Sequence, residues 1–184
     1  MKNELRQKLF NIRENIVNRI EKERAIAKKV FNFIKEKRLS TFFSYVSMGS
    51  EVDTEEIIKE LHKFSEYKIL IPFTIGSHMI AVVYEDEKLI TDKTGNVQGI
   101  VDKPEFCGKI DLSITPLLGF NSQNHRIGYG KGCYDKYYAR HSVQNKVGIA
   151  FDEQEIEFKQ DSFDIPLDII FTPTRVITKR GEKL

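Results

Sequence analysis

The stretch Arg126-Ile127-Gly128-Tyr129-Gly130-Lys131-Gly132-Cys133-Tyr134-Asp135 constrains this chain more than any other. Three glycines alternate with other residues, and a run able to form a helix, Cys133 to Arg140, follows at once. Such a loop can bring backbone N–H groups close to an anion, and a helix behind it aims its positive end at the same spot. Arg126 and Lys131 add formal positive charge, and Asp135 offers a hard oxygen to a metal ion. Phosphate with magnesium is the chemistry this suggests, although glycines alone would equally well make a surface turn. The stretch is not a Walker A loop, because Cys133 follows Gly132 where Ser or Thr is needed. Nor is it the dinucleotide fingerprint, since the third glycine comes one residue too early.

The elements around this stretch indicate an α/β chain. Leu5, Leu9, Ile12, Ile16 and Ile20 recur at helical spacing. Asn18 followed by Glu21 has the form of a capping box opening a second helix through Ile26, Val30, Phe31 and Ile34. Lys2 and Arg6 lie one helical turn apart at the N-terminus, and spacing alone makes them solvent-facing. Thr41 to Val46 reads as a buried strand running into the polar turn Ser47 to Glu51. Asp53 or Thr54 then caps a helix with Ile57, Ile58, Leu61 and Phe64 on one face. Strand, turn and helix make half of a parallel α/β unit, and loops beyond such strands bind ligands, which makes Glu51 a candidate contact, although an exposed loop Glu is usually only solvated.

A strand from Lys68 to Phe73, stopped near Pro72, follows. A turn at Gly76-Ser77 leads into Met79 to Tyr84, with Lys88 to Thr91 pairing beside it, so this section is antiparallel. His78 at the turn reads as structural, and Asp102 to Lys109 as a loop. Ile110 to Thr115 is a strand ending at Pro116, and Leu117 to His125 carries the chain to the glycine stretch. Strand, glycine loop, helix is therefore the local order, which favours the phosphate reading. In the helix, Tyr134, Tyr137 and Tyr138 pack inward while Lys136 and Arg140 point outward. Lys146 to Phe151 is a buried strand, Asp161 to Asp168 an acidic connection, and Ile169 to Thr172 a strand. Val176 to Thr178 forms an edge strand before a tail from Lys179 to Leu184.

At 184 residues, a net charge of +2 and 30% charged residues, the chain fits one ordinary domain with no demand for a nucleic-acid partner. No apolar run reaches the length of a membrane span, and Lys2-Asn3-Glu4 does not begin a signal peptide. Cys107 and Cys133 lack metal-ligand spacing, so a reduced, cytoplasmic protein is expected, with Cys107 inert.

Several segments, taken together and in order, resemble the 5-formyltetrahydrofolate cyclo-ligase family, also called 5,10-methenyltetrahydrofolate synthetases. They are Lys2-Asn3-Glu4-Leu5-Arg6, Glu51-Val52-Asp53-Thr54, Pro116 with Gly119-Phe120, the decapeptide from Arg126 to Asp135, and Asp164-Ile165-Pro166-Leu167-Asp168 with the strand behind it. The resemblance implies a single three-layer α/β domain over residues 1–184, with a mostly parallel central sheet plus an antiparallel section. It relates the fold to sugar-phosphate isomerases and CoA-transferases. It implies ATP-dependent cyclisation of 5-formyltetrahydrofolate to 5,10-methenyltetrahydrofolate, with release of ADP and phosphate. ATP would be held by Lys2, Arg6, Arg126, Ile127, Gly128, Tyr129, Gly130, Lys131, Gly132, Cys133 and Tyr134. The folate, with or without a polyglutamate tail, would meet Val46, Glu51 and the loop from Tyr129 through Gly130, Lys131 and Gly132 to Cys133. Asp135 and Asp164 would hold Mg2+, and Lys131 and Arg126 would be catalytic, in a monomer with no nucleic-acid or membrane partner.

The chain departs from the family pattern at four places. Cys133 stands where an aromatic residue is usual, Asn121 replaces a common Asp, Asn124 a common Gly, and Phe73 a common basic residue. The implied chemistry needs no protein nucleophile, because phosphorylating the formyl oxygen turns it into a leaving group. Two rival readings remain at this level. One makes Cys133 a nucleophile with His125 as its base, and the other uses the basic N-terminal helices to bind RNA.

Overall fold

Strand order places the site. The computed structural model describes residues 2–179 except positions 77, 87, 94, 99 and 101. In chain order the elements are α1 (Lys2–Glu14), α2 (Arg19–Lys37), β1 (Thr41–Ser44), α3 (Glu55–His62), β2 (Lys68–Ile75), β3 (His78–Val83) and β4 (Ile110–Thr115). Then come β5 (Gly119–Phe120), β6 (Arg126–Ile127), α4 (Cys133–Tyr138), β7 (Val143–Ile149), β8 (Ile169–Phe171) and β9 (Val176–Thr178). The main sheet has the order β3-β2-β1-β4-β7-β8-β9, with β5 and β6 forming a separate hairpin. Its five inner strands are parallel, and the edge strands β3 and β9 are antiparallel. The expected mostly parallel sheet with an antiparallel section is thus what the chain forms.

The side-chain pattern explains the layers. Successive residues of a strand point to opposite faces, and β1 shows it: Phe42 joins the core under α2 and α3, whereas Phe43 joins the core under α4. Ile26, Val30 and Ile34 of α2, with Ile57, Ile58 and Leu61 of α3, fill the first face. Tyr137 and Tyr138 of α4 fill the second against Leu70, Met79 and Ala81. Each fully buried side chain of this kind contributes roughly 1.5–3 kcal/mol, so the apolar faces fix the three layers. From β1 the chain goes to β2 on one side, and it later returns to place β4 on the other. Strand order therefore reverses beside β1, and open α/β sheets bind ligands in the crevice at such a point.

Local expectations are corrected in several places. The first helix does not run to Ile20: it stops at Glu14, leaving Val17 and Ile20 71% and 66% exposed. Asn18 opens α2 in the left-handed region with no side-chain cap, so the expected capping box is not formed. At α3, Thr54 turns inward to donate to the Tyr45 carbonyl, while Asp53 Oδ1 accepts from Glu55 N at 2.8 Å. Phe64 lies past the end of α3 and is half-exposed.

Pro72 does not stop β2. Tyr84 N donates to the Ile69 carbonyl, and the alternation this sets makes Pro72 and Ala81 a pair without ladder hydrogen bonds. The proline nitrogen then faces the β1 side, where pairing has already ended at Leu70. Gly76 turns the chain at φ 60°, Ser77 lies outside the described residues, and His78 is the first residue of β3 rather than part of the turn. Among the described residues Lys88 to Thr91 forms no strand, only a bridge from Thr91 to Val97. Asn96 instead ties this segment to β2, its amide bonding both Thr74 N and Thr74 O at 2.6 and 2.9 Å.

The connection from Leu117 to His125 holds β5 and the turn of the β5–β6 hairpin, so the glycine loop is fed by β6 and not directly by a strand of the parallel sheet. The two asparagines that depart from the family pattern make its turn. Asn121 Oδ1 accepts from Gln123 N and His125 N, a role Asp performs equally, and Asn124 has the φ of 61° that favours Gly. The expected tail lies, beyond Lys179, outside the described residues.

Asp168 ties β7 to β9. It accepts from Lys146 N at 2.7 Å and pairs with Lys146 Nζ at 3.2 Å and Lys179 Nζ at 2.6 Å. Burial pushes its carboxyl up, but the two lysines and the amide outweigh burial and hold it below the usual 3.8. A depressed folded-state pKa contributes stability that is present above the unfolded value and lost as pH falls through the folded one. Asp168→Asn should therefore lower stability at pH 7 by roughly 1–3 kcal/mol and flatten the acid limb. Melting temperature against pH for both proteins tests this, and an identical acid limb in the variant would refute it.

Candidate functional site

Helix α1 lies as a strap along the crevice. Lys2, Arg6, Phe10 and Arg13, spaced by about a helical turn, all line a cleft of about 670 Å³. Leu9, fully buried against Leu118 and Ile127, fixes the strap to the hairpin. Lys2 pairs with Asp161 and lies 3.8 Å from Asp164. Arg6 donates to the Gly128 carbonyl at 3.0 Å, and its guanidinium lies over Gly130. A Cβ on Gly130 would come within 3.3 Å of that guanidinium carbon, and Gly130 holds a φ of 95° that L side chains rarely adopt. The loop therefore needs glycine here for both conformation and space.

Behind the loop lies a charged core. Arg126 Nη2 is 2.9 Å from Asp135 Oδ1, with the two side chains 6% and 20% exposed. Ile165 clamps both partners: its carbonyl accepts from Arg126 Nη1 at 3.0 Å, and its N–H donates to Asp135 Oδ1 at 3.1 Å. Asp164 is the preceding residue, and its Oδ2 accepts from Asp161 N at 2.8 Å. Among the described residues nothing hydrogen-bonds the second oxygen of Asp135 or of Asp164. Among the described residues no group of three His, Cys, Asp or Glu side chains could hold a metal ion unaided. Two carboxylates with free oxygens beside a cation-lined cleft fit magnesium, which takes one or two protein carboxylates and completes its shell with water and phosphate.

The wall opposite comes from β1 and its turn. Tyr129 of the glycine loop donates to Glu51 Oε1 at 2.5 Å, and Glu51 Oε2 accepts from Met48 N at 2.8 Å. Burial, and then the Glu51 carboxylate, push the Tyr129 hydroxyl well above its ordinary range, so it stays a proton donor. Burial does the same for Tyr134, whose hydroxyl is buried with no partner. An unpartnered buried hydroxyl beside a cleft fits a polar ligand atom. Burial and the nearby Arg126 hold the His125 imidazole below its ordinary value, although Asp164 and Asp135 pull it up. No hydrogen bond joins Cys133 to His125, and His125 Nδ1 is buried without a partner. The geometry a cysteine nucleophile needs is absent here.

The structure brings all the expected site residues to this one cleft. Lys2, Arg6, Val46, Glu51, Asp164 and the whole run from Arg126 to Asp135 line it. Lys2 and Arg6 face the cleft rather than solvent, contrary to the reading from spacing. Sequence reasoning missed Phe10, Arg13, Met48, Thr74, Lys93, Asp161 and Phe163 on the same walls. Phe10 and Arg13 continue the stripe begun by Lys2 and Arg6, so helical periodicity could have found them. The others depend on long-range folding of loops and carry no local signal.

Fold and cleft together are those of an α/β enzyme with its ligand crevice at a topological switch point. A profile of the 5-formyltetrahydrofolate cyclo-ligase family matches residues 1–173. The chain is 53% identical over 62 residues, 33% of its length, to the 5-formyltetrahydrofolate cyclo-ligase of Mycoplasma genitalium, covering 38% of that protein. It is 30% identical over 174 residues to the enzyme of that name from Mycoplasma pneumoniae, covering 92% of this chain and 96% of that protein. A solved structure of a 5,10-methenyltetrahydrofolate synthetase from Mycoplasma pneumoniae superposes with a TM-score of 0.77 at 26% identity, over 94% of this chain and 98% of that one. The chain belongs to the 5-formyltetrahydrofolate cyclo-ligase family.

The glycine loop gives a direct test. Gly130→Ala should cost roughly 1–3 kcal/mol of backbone strain and displace Arg6 from its place over the loop. Binding of inorganic triphosphate, followed by calorimetry, should weaken about tenfold or more as the loop loses its conformation. Unchanged affinity would show that the loop does not contact the anion.

Proposed function

We propose that this chain catalyses the ATP-dependent cyclisation of 5-formyltetrahydrofolate to 5,10-methenyltetrahydrofolate, releasing ADP and phosphate. Family membership supports the folate reaction. The observation that carries the ATP half is the convergence of Lys2, Arg6 and the glycine loop on the cleft that also holds Asp135 and Asp164. The triphosphate would lie along the loop amides between Lys131 and the two strap cations, with Arg126, Ile127, Gly128, Gly132 and Tyr134 forming the rest of its wall. Asp135 and Asp164 would hold magnesium through their free oxygens, supplying charge neutralisation at the phosphates.

The folate would lie against Val46, Glu51 and the Tyr129–Cys133 face of the loop, with Glu51 accepting its N–H groups. The formyl oxygen attacks the terminal phosphorus in line and ADP leaves. The bridge nitrogen then closes on the activated carbon as phosphate departs, and its proton passes to water. Lys131 is exposed, and among the described residues no hydrogen bond or ion pair engages its ammonium, so it is free to follow the transferred phosphoryl group. Arg126 acts through its hold on Asp135 and through its charge. The substrates are ATP and the formyl folate, the cofactor is Mg2+, and the working form is a monomer. Formation of the methenyl product in the presence of MgATP, read by its absorbance, is the deciding experiment, and no product with a folded protein would overturn the proposal.

Lys131→Ala should lower kcat/KM by roughly 10²-fold, as removal of one preorganised electrostatic contact does elsewhere. Lys131→Arg should restore only part of it, because a planar fork is not a point charge. Wild-type constants in the Ala variant would remove Lys131 from the reaction.

The two carboxylates separate by a different measurement. Asp135→Asn and Asp164→Asn should both raise the magnesium needed for half-maximal rate. Only Asp135→Asn should also lower the melting temperature, because it leaves the buried Arg126 guanidinium without its counter-charge. Magnesium curves unchanged in both variants would take them out of the metal site.

A further inference from the structure

Arg13 is a charged side chain only 2% exposed, and among the described residues no carboxylate pairs with it. A buried unpaired charge is costly, so its neighbours matter. Its Nε donates to Ser50 Oγ at 3.1 Å, in the turn that carries Glu51. Its Nη1 donates to the Leu117 carbonyl at 3.2 Å, just past β4. The guanidinium lies 5.6 Å from the ring of Tyr129 and 5.7 Å from that of Phe10. One planar group thus touches the strap helix, the β1 turn, the β4 exit and the glycine loop. Arg19 reinforces it from behind, bonding the Arg13, Ser50 and Glu51 carbonyls at 2.6, 3.1 and 3.3 Å.

We propose that Arg13 is a positioning residue for the folate half of the site, setting the separation between the Glu51 turn and the Tyr129 face of the loop. This rests on the function proposed above and deepens it. Glu51 and Tyr129 sit on different segments, and their mutual hydrogen bond alone cannot fix how far apart those segments stand when a ligand takes its place. Arg13 holds the first through its bond to Ser50 and meets the second with its guanidinium against the Tyr129 ring. A flat fork with several donors does this, whereas an ammonium on a flexible stem reaches one partner at a time. The phosphate half has its own anchors in Lys2, Arg6 and Arg126, so Arg13 acts on one substrate and not on both.

Arg13→Lys and Ser50→Ala test this, the second leaving the guanidinium and its bond to Leu117 in place in case the first destabilises the fold. In each, KM for the formyl folate should rise on the order of tenfold, as loss of a hydrogen bond to a charged group allows. KM for MgATP and kcat should stay within about threefold, because neither depends on the turn. Since both variants cut one link, the double variant should be no worse than Arg13→Lys alone. Hydrogen exchange without substrates supplies a readout independent of turnover. Amides of residues 47–51 and of Tyr129 should exchange faster in both variants, while those of residues 130–132, under Arg6, and of α2 do not change. Equal rises in both KM values, or additive effects in the double variant, would overturn the proposal. If the wild-type protein makes no methenyl product, the function reading fails, and the exchange data still decide whether Arg13 fixes the two loops. Unchanged exchange at those loops overturns it in either case.

Discussion

The buried pair between Arg126 and Asp135 is what the rest of the site depends on. Each partner belongs to a different element, β6 and α4, and the main chain of Ile165 bonds to both. Removing one partner of such a pair costs about 3–5 kcal/mol, because the other charge is left uncompensated in a poor solvent. That penalty fixes the glycine loop at both ends, since Arg126 precedes it and Asp135 follows it. It also pins the acidic connection beside the loop through Ile165. Asp164, one residue earlier, is brought next to Asp135 as a consequence. Two carboxylates far apart in sequence become neighbours because one peptide unit is clamped between an arginine and an aspartate.

The sheet supplies the opposite side. Parallel strands are buried on both faces, so β1 and β4 offer the solvent only their carboxyl ends. The residues there, Tyr45 and Val46 after β1 and Pro116 after β4, line the cleft because strand order reverses between them. Tyr45 is locked by its hydroxyl to the Val52 carbonyl at 2.9 Å, and Thr54 bonds back to the Tyr45 carbonyl at 2.7 Å. The turn carrying Glu51 is thereby closed on itself before any ligand arrives. The wall is rigid and the cations are delivered to it.

How much of this could be read in the sequence follows from where the information lies. Strands such as β4 and β9 were legible to the residue, because their apolar runs are bounded by Pro and polar turns. The glycine loop and its charged flanks were legible because close approach to an anion leaves few residue types to choose from. Other features depended on partners the sequence does not display. Pro72 continues a strand because its neighbour on one side has ended. Asn96 replaces a strand partner by bonding a backbone 22 residues away. The role of Arg13 was hidden for the same reason: its partners Ser50, Leu117 and Tyr129 lie on segments that meet α1 only after the sheet has formed. A helical stripe shows which residues share a face, not whether that face meets water or a cleft.

The strap explains why the cleft can be both ordered and open. Helix α1 carries Lys2 and Arg6 at one end and Arg13 at the other, and the two ends are held differently. At the C-terminal end Arg13 is buried and tied to the Glu51 turn and the β4 exit, with Leu9 packed one turn earlier. At the N-terminal end Lys2 is held by ion pairs with Asp161 and Asp164, and its side chain is 36% exposed. Exposed ion pairs contribute about 0–1 kcal/mol, far less than the buried end. Free energy therefore concentrates where the folate would lie and is small where the triphosphate would enter. A polyanion offers that lysine more charge than two aspartates do, and magnesium at Asp164 would weaken that carboxylate's hold on it. The end of the helix beside the Glu51 turn is thus the firmly held one, and the end beside Asp161 and Asp164 the lightly held one.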